Sequence, residues 1–306
     1  MKIAVIGAGA MGSLFGTLLS EKGNDVWLYD VWSEHVDAIN QNGLRVEREG
    51  KFRTVKIKAT TEKDNIGPVE LAIIFVKSIQ TEPAAETASK LVSADGLVMT
   101  LQNGMGNADI IAKFIEADRI LAGTTAHGAT MLGPGKIRHA GSGPTTIGMW
   151  APGVKGFKQA KQFAVFFTRA GIETEAVKNV RDVVWHKLFI NVGINAITAL
   201  TGIKNGQILD MAVTSELSRT AVAEAIQVAR AIGISVQEEV DTQVFKIAKA
   251  TASNRSSMGQ DVDHHRQTEI GAINGFIVRE AERLDLKVPV NQTLTALVET
   301  MQYHYK

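Results

Sequence analysis

Hydrophobic positions in the first half of the chain fall into short runs that alternate with segments of helical spacing. The runs Lys2–Ile6, Asp25–Tyr29 and residues 71–76 have the composition of buried β-strands. Helical spacing occurs at residues 12–22 and 34–42. Alternation of this kind predicts a parallel sheet that is covered by helices on both faces.

The same half contains further β-like segments. Residues 44–49 and 54–59 resemble a short hairpin, and residues 96–101, 120–124 and Thr145–Met149 predict three more strands. A Gly/Pro-rich run at residues 133–156 separates further β-like pieces, of which Thr145–Met149 is one.

The period changes after about residue 177, where apolar residues recur at helical spacing. Pro289 is the only proline in this half. The change of period predicts two domains, residues 1–177 and 178–306, of which the first is α/β and the second all-helical. The predicted helices are residues 181–200, 213–232, 237–251 and 269–284.

Composition excludes several kinds of chemistry. The 306 residues include 33 Lys+Arg, 32 Asp+Glu and no cysteine, for a net charge of +1. Such a balance argues against a protein whose main work is to bind nucleic acid. Without cysteine there are no disulfides, thiolate nucleophiles or cysteine-based metal sites. The absence of cysteine also fits a reducing cytoplasm.

Two apolar stretches resemble membrane segments. The first runs from the N-terminus to Leu19, but glycines interrupt it where a strand would turn into a helix, which argues against a signal peptide. The second, residues 188–203, contains Asn191, Asn195, Thr198 and Thr201. We therefore expect a soluble protein without a membrane span.

A GxGxxG sequence follows the first strand and begins the first helix. Gly7 would permit a tight turn, Gly9 would let the backbone approach a pyrophosphate, and Gly12 would let the helix pack closely. The expected cofactor-binding residues of this loop are Gly7, Ala8, Gly9, Ala10, Met11 and Gly12.

Asp30 ends the second predicted strand. A carboxylate at this position can accept hydrogen bonds from the adenosine ribose and would repel a 2′-phosphate, which favours NADH over NADPH. The alternative is that Asp30 only caps the following turn.

Polar residues form a line on an otherwise apolar helix of the second half. Lys187, Asn191 and Asn195 are spaced by four residues and therefore share one helical face. Buried polar groups without partners are costly, so the line either belongs to an internal hydrogen-bond network or faces a binding cavity. The spacing alone does not distinguish the two.

A second polar cluster contains Ser256 and Ser257 and, further on, Thr268 and Glu269. Taken by itself, Thr268-Glu269 is typical of a helix N-terminus, where a carboxylate is favourable. The nearby pair His264-His265 has no spacing that supports metal binding, so we expect no metal.

Taken together, these motifs resemble the ketopantoate reductase family (2-dehydropantoate 2-reductase). No single match is specific, but their order and spacing extend through almost the whole chain. The matching residues are Gly7–Gly12, Lys77, Gln102-Asn103-Gly104-Met105-Gly106, Trp185-His186-Lys187-Leu188, Asn191, Asn195, Asn205-Gly206, Ser256-Ser257-Met258, Thr268-Glu269-Ile270 and Ile273-Asn274-Gly275.

The resemblance implies an N-terminal Rossmann dinucleotide-binding domain, an all-α C-terminal domain and a nicotinamide cofactor. It further implies reduction of ketopantoate to (R)-pantoate in pantothenate and coenzyme A biosynthesis. By this resemblance Lys187 would be the general acid, and Glu269 would keep it charged and oriented. The other implied roles are substrate binding by Asn103, Lys187, Asn191, Asn195, Asn205 and Ser257, and cofactor contacts by Lys77, Asn103 and Ala129.

One departure bears on the cofactor and on the substrate. Many family members carry a basic residue where this chain has Asp30, consistent with their use of NADPH. Some members with an acidic residue there resemble NAD-dependent D-2-hydroxyacid dehydrogenases that act on bulkier 2-keto acids. Such a dehydrogenase is the first alternative function. The second alternative is a non-catalytic NAD(H) sensor on the same fold. A homodimer is expected only by analogy with related two-domain dehydrogenases.

Overall fold

The computed structural model describes residues 1–236 and 239–305. They divide into two compact units. Unit 1 consists of Met1–Gln102 and Asn107–Val180, and unit 2 of Asn103–Gly106 and Arg181–Lys306. The fold class expected from the sequence is confirmed: the first unit is α/β around a mainly parallel sheet, and the second is helical.

Unit 1 is built on an eight-stranded sheet. All neighbouring strands in it are parallel except β8 and β11. The order across the sheet is β12-β11-β8-β7-β6-β1-β2-β5. Its strands are β1 (Lys2–Ile6), β2 (Asp25–Tyr29), β5 (Lys58–Thr60), β6 (Val69–Ile74), β7 (Val92–Thr100), β8 (Ile120–Thr125), β11 (Thr145–Met149) and β12 (Thr174–Ala176).

A second sheet has four strands in the order β4-β3-β10-β9. The predicted hairpin is correct in part. Residues 44–49 do pair antiparallel with the next strand, but residues 54–59 do not form one strand. These residues instead contain the end of β4 and the start of β5, and β5 pairs with β2 in the larger sheet. The strands of the second sheet are β3 (Leu44–Arg48), β4 (Lys51–Val55), β9 (Gly128–Gly133) and β10 (Lys136–Gly141).

Helices pack against these sheets through apolar faces. The buried core of unit 1 includes Leu14 and Phe15 of the first helix together with strand residues such as Val5 and Leu28. The fifth helix was not predicted, since its sequence follows the Gly/Pro-rich run directly. The helices of unit 1 are α1 (Ala10–Ser20), α2 (Ser33–Asn42), α3 (Thr81–Leu91), α4 (Asn107–Ile111) and α5 (Val154–Arg169).

The described residues of unit 2 form helices joined by turns and loops, with no strand among them. The predicted helix at 269–284 is wrong at its start: a 3₁₀ turn at Ile270–Ala272 is followed by Ile273, whose φ of −105° and ψ of −98° break the helix. The predicted start of another helix at residue 237 lies outside the described residues. The α-helices are α6 (Val180–Thr201), α7 (Ala212–Ala231), α8 (Val240–Ala250), α9 (Ser257–Asp263), α10 (Asn274–Arg283) and α11 (Pro289–Gln302).

Helix α6 is the one described helix that is long and apolar enough to cross a membrane. Its most apolar window is 61% buried inside the protein, as in the core helix of a soluble protein. Trp185 and Phe189 on this helix are both almost completely buried. The apolar character of α6 is therefore accounted for by packing within unit 2.

Candidate active site

The carboxyl ends of three adjacent parallel strands define one edge of the large sheet. Ile6 of β1 is in register with Tyr29 of β2 and with Ile74 of β6. Strand β1 lies between β2 and β6. The chain runs from β1 to β2 on one side and later returns to β6 on the other side, so the strand order switches direction at β1. In open α/β sheets this is where ligands bind.

Glycines shape the loop between β1 and α1. Gly7 has a φ of 95°, and a Cβ at this residue would lie 2.8 Å from the backbone nitrogen of Val76. A Cβ at Gly12 would lie 1.9 Å from the carbonyl oxygen of Gly7. Gly9 differs, because no heavy atom lies within 4 Å of the place where its Cβ would be. Gly7 and Gly12 are thus required by the fold, whereas Gly9 leaves open space beside the start of α1.

We therefore expect Gly12→Ala and Gly9→Ala to have different effects. The first should lower the melting temperature, because its Cβ collides with backbone and the turn must shift at a cost of about 1 to 3 kcal/mol or more. The second should leave the melting temperature nearly unchanged, since Gly9 has a φ of −58° that alanine adopts freely. Its methyl group should instead weaken cofactor binding. Thermal unfolding and NADH titration of both variants test this, and equal melting temperatures would contradict it.

The start of α1 fits a dinucleotide pyrophosphate. Within the described residues no side chain caps this helix, and no acidic residue occupies its first turn. Helix N-termini attract anions through their exposed N–H groups and the helix dipole. Ala10 and Met11 form the first turn, and Gly9 keeps the approach open.

Asp30 lies at the end of β2 beside this loop. Its carboxylate accepts hydrogen bonds from the backbone N–H of Ala8 at 2.7 Å and from that of Trp32 at 3.0 Å. The carboxylate therefore caps the turn that follows β2 and also holds the backbone of the fingerprint loop. Its contact with a cofactor ribose stays a prediction.

Lys77 and Ala129 lie in other parts of unit 1. Lys77 follows β6 by three residues and precedes a 3₁₀ turn, and Ala129 lies in β9, where it is paired with His139 and packs against the core that includes α1. Gln102, which the sequence showed only as part of a motif, donates from Nε2 to the carbonyl of Val76 at 2.8 Å. It thereby fixes the peptide that leads into Lys77.

Lys187 and Glu269 come together in unit 2. Lys187 lies on α6 and is partly exposed, whereas Glu269 is 7% exposed and precedes the 3₁₀ turn. Burial of the ammonium lowers the pKa of Lys187 to about 8, although the negative charge of Glu269 raises it. The residue remains mainly protonated at neutral pH, yet its proton is far more easily given up than that of an ordinary lysine.

The rest of the polar line on α6 is only partly satisfied. Asn195 donates to the hydroxyl of Ser257 at 3.4 Å, while Asn191 has a buried Nδ2 with no hydrogen-bond partner among the described residues. Ser257 itself is exposed at the start of α9, where Ser256 caps the helix by accepting from the N–H of Gly259 at 3.0 Å. Within this polar line, Asn195 thus has a hydrogen-bond partner in the protein, whereas the Nδ2 of Asn191 has none among the described residues.

Asn205 is held by a different element. Its Nδ2 donates to the hydroxyl of Thr251 at 3.0 Å, and its backbone N–H donates to the carbonyl of Asn254. Its Oδ1 is buried and has no partner within residues 1–236 and 239–305.

The segment Asn103–Gly106 belongs to unit 2 although its sequence neighbours lie in unit 1. Met105 donates its backbone N–H to the carbonyl of Ala272 at 2.9 Å, and Gly104 has a φ of 81°. A Cβ at Gly104 would lie 2.5 Å from that same carbonyl oxygen. The turn that follows Glu269 thus also holds the segment that begins at Asn103.

The described residues contain no group of three or more His, Asp or Glu side chains that could hold a metal ion. His264 is close to the backbone of its own helix, with Nδ1 2.7 Å from the carbonyl of Gln260, and His265 packs edge-on against Tyr305.

Comparison with known protein families assigns both parts of the chain. Residues 3–152 match the family described as ketopantoate reductase PanE/ApbA, and residues 179–302 match the family described as ketopantoate reductase PanE/ApbA C terminal. The chain therefore belongs to the ketopantoate reductase PanE/ApbA family, and it is an NAD(P)-dependent oxidoreductase of that family.

Relatives named 2-dehydropantoate 2-reductase match along nearly the full length. One from Halobacterium salinarum is 38% identical over 306 residues, which is 99% of each chain. One from Pyrococcus horikoshii is 35% identical over 302 residues, covering 99% of this chain and 98% of the relative.

Two solved structures also match the chain along nearly its full length. D-mandelate dehydrogenase with NADH and anilino(oxo)acetate superposes with a TM-score of 0.92 and 30% identity, covering 99% of this chain and 98% of the other. A PanE/ApbA family ketopantoate reductase from Ralstonia eutropha gives a TM-score of 0.89 and 32% identity, covering 99% of each chain. Both a ketopantoate reductase and a D-mandelate dehydrogenase thus share this fold.

Proposed function

We propose that the protein is a 2-dehydropantoate 2-reductase, which reduces the C2 keto group of ketopantoate to give (R)-pantoate. The observation that carries the proposal is the Lys187–Glu269 pair, in which burial lowers the pKa of the ammonium to about 8 beside a buried carboxylate. A lysine of this kind suits a general acid that works near neutral pH. Relatives named 2-dehydropantoate 2-reductase at 30–38% identity support the choice of substrate.

The residues of unit 2 would act on the keto acid. A nicotinamide cofactor, when bound, supplies the hydride that reduces C2. Negative charge then develops on the former keto oxygen, which the ammonium of Lys187 stabilises before it donates a proton from Nζ. Glu269 holds Lys187 in its charged form. The substrate's carboxylate and hydroxyl would be bound by the remaining predicted residues, Asn103, Asn191, Asn195, Asn205 and Ser257.

The unpaired polar atoms support this assignment. Buried amides that lack partners are costly, and a bound substrate would satisfy them. Asn191 offers a buried Nδ2 that can donate, and Asn205 a buried Oδ1 that can accept. A 2-keto acid with a hydroxyl group, as in ketopantoate, carries both an anionic acceptor and a donor for these groups.

The second candidate is an NAD-dependent D-2-hydroxyacid dehydrogenase that acts on bulkier 2-keto acids. It is favoured by the likeness to D-mandelate dehydrogenase and by Asp30, an acidic residue at the end of β2. Both candidates need a hydride and the proton of Lys187, so they differ only in the group that C2 carries.

A comparison of kcat/KM values for different 2-keto acids distinguishes the two candidate functions. We expect kcat/KM to be highest for ketopantoate when ketopantoate, phenylglyoxylate and 2-ketoisocaproate are each assayed with NADH and with NADPH. If ketopantoate were the poorest of the three, the proposal would be wrong and the dehydrogenase would take its place.

Asp30 supports a preference for NADH, because its carboxylate is held beside the fingerprint by the N–H groups of Ala8 and Trp32. We expect Asp30→Ser to lower kcat/KM with NADH about tenfold, as a lost charged hydrogen bond would, and to raise the value with NADPH. The matched control is Asp25→Asn at the opposite end of the same strand, where the carboxylate pairs with Lys58. The control should leave the NADH-to-NADPH ratio unchanged, and a wild-type preference for NADPH would contradict the prediction.

A further inference from the structure

His35 is completely buried in unit 1 but has no part in the site described above. It lies in the first turn of α2, and its exposed fraction is 0%. Its ring stacks on Trp32 with the centroids 5.1 Å apart and the planes inclined by 12°. A buried imidazole requires hydrogen-bond partners for both nitrogens.

The first partner comes from the turn between β9 and β10. The backbone N–H of Gly135 donates to Nδ1 of His35 at 3.0 Å. Gly135 has a φ of 65°, and a Cβ there would lie 3.0 Å from Cβ of Ala38 on α2, so only glycine brings the turn this close. Because Nδ1 accepts a hydrogen bond, the neutral ring must carry its proton on Nε2. Burial lowers the pKa of His35, although the charge of Asp30 and a hydrogen bond to the backbone of Ala8 raise it, and the net lowering favours the neutral ring.

The second partner is a hydroxyl on the fingerprint helix. Nε2 of His35 lies 3.4 Å from Oγ of Ser13, which is itself completely buried. Ser13 in turn donates from Oγ to the carbonyl oxygen of Ala8 at 2.7 Å. The tautomer of His35 therefore sets the direction of both bonds, from Nε2–H to Oγ and from Oγ–H to the Ala8 carbonyl.

The Ala8 carbonyl belongs to the peptide that joins Ala8 to Gly9. A peptide bond is planar, so fixing its carbonyl also fixes the direction of the Gly9 N–H on the opposite side. The preceding peptide is held independently, since the N–H of Ala8 donates to Asp30 at 2.7 Å. Both peptides of this part of the loop are thus held from within the protein.

We propose that His35 and Ser13 are positioning residues for the dinucleotide cofactor, forming a relay from Gly135 that orients the Ala8–Gly9 peptide for the pyrophosphate. The inference rests on the proposed use of NADH or NADPH. The relay also gives the four-stranded sheet a role, because Gly135 in the β9–β10 turn of that sheet holds His35 in place through its hydrogen bond to Nδ1. The Gly/Pro-rich run of the sequence, otherwise only a boundary, supplies that turn.

The test measures NADH and NADPH affinity of the full-length protein and its variants by fluorescence titration, with thermal unfolding in parallel. Ser13→Ala removes the link to Ala8 and favours the helix, so it should fold. We expect it to raise the Kd of the preferred cofactor about five- to tenfold, which is the effect of one lost hydrogen bond. In steady-state assays the loss should fall on the KM for the cofactor rather than on kcat.

Thr17→Val is the matched control. Thr17 is also a completely buried hydroxyl residue on α1, but its Oγ1 has no hydrogen-bond partner among the described residues. Its replacement by valine should leave the Kd unchanged. If Ser13→Ala and Thr17→Val changed the Kd equally, or if neither changed it, the inference would be overturned.

A double-mutant cycle tests whether His35 acts through Ser13. His35→Leu should also weaken binding. The double variant should weaken binding by less than the product of the two single effects, because both residues act on the same peptide of Ala8. Independent, multiplicative effects would overturn the relay. If the unaltered protein bound neither NADH nor NADPH, the proposed function would fail, and the inference with it.

Discussion

Lys187→Ala is expected to lower kcat by about 10²- to 10⁴-fold, the usual contribution of a general acid. The reason is that no other proton donor is expected to replace a lysine whose pKa lies at about 8. Cofactor affinity should be retained, because the predicted dinucleotide-binding residues other than Asn103 belong to unit 1. The measurement is single-turnover reduction of ketopantoate, with NADH titration as the binding control. Lys287→Ala, at an exposed lysine of the same unit, should leave both quantities unchanged.

The same variant separates an enzyme from a sensor. An NAD(H)-sensing protein would bind cofactor and show no turnover in either form. If the wild type turned over no 2-keto acid, the sensor would be the better description. If Lys187→Ala kept the wild-type rate, the proton would come from another group.

Lys187 also gives stability a characteristic pH dependence. Its folded-state pKa is lowered from 10.5 to about 8, so between these values the unfolded chain binds more protons than the folded one. The free energy of unfolding should therefore rise with pH through this window, by about 3 kcal/mol at 1.36 kcal/mol per pKa unit. In Lys187→Met this rise should be absent. Denaturant unfolding between pH 7 and 10.5 measures it, and an identical rise in both proteins would contradict the assigned pKa.

Glu269→Gln is expected to move the alkaline limb of the kcat/KM profile to lower pH. In the wild type kcat/KM should fall above about pH 8, where Lys187 loses its proton. Glu269 raises the pKa of Lys187, so removal of its charge lowers that pKa further. At pH 8, a pKa lowered by one unit would reduce the protonated fraction from about one half to about one tenth, so we expect kcat/KM to fall about fivefold or more.

The controls for this variant test the mechanism. Glu282→Gln, at an exposed carboxylate on α10, should leave the pH profile unchanged. Combining Glu269→Gln with Lys187→Ala should cost little more than Lys187→Ala alone, because Glu269 acts through Lys187. An alkaline limb that stayed in place or moved to higher pH would show that Glu269 does not sustain the charge of Lys187.

The short-range signals in the sequence predicted much of the fold. The apolar run at Lys2–Ile6, the glycines that follow it and the strand at Asp25–Tyr29 are local features, and the structure forms those strands with the predicted bounds. Helical spacing likewise located α6 and α7 within a residue or so. Such patterns succeed because strand and helix periods are fixed by neighbouring residues.

The short-range patterns did not predict which distant segments pair with one another. Residues 54–59 look like one strand, but β5 pairs with β2 and β4 pairs with β3, and nothing local divides them. The break at Ile273 arises where the chain passes Met105, which donates to the carbonyl of Ala272. Neither the strand pairing nor the break at Ile273 can be predicted from neighbouring residues alone, because each depends on residues that are far apart in sequence.

For the candidate site, the sequence by itself determined the chemical groups: a GxGxxG loop, Asp30 after the second strand, and Lys187, Asn191 and Asn195 on one helical face. Spacing fixed that face, but it left open whether the line was a network or a site. Only the tertiary structure decided which groups meet. It brings Glu269 close enough to Lys187 to raise the pKa of the lysine, and it brings His35 to Ser13, although these pairs are 82 and 22 positions apart in sequence. Burial of the Lys187 ammonium in the folded protein then lowers its pKa. Desolvation and pairing depend on what surrounds a side chain, and the surroundings exist only once the chain has folded.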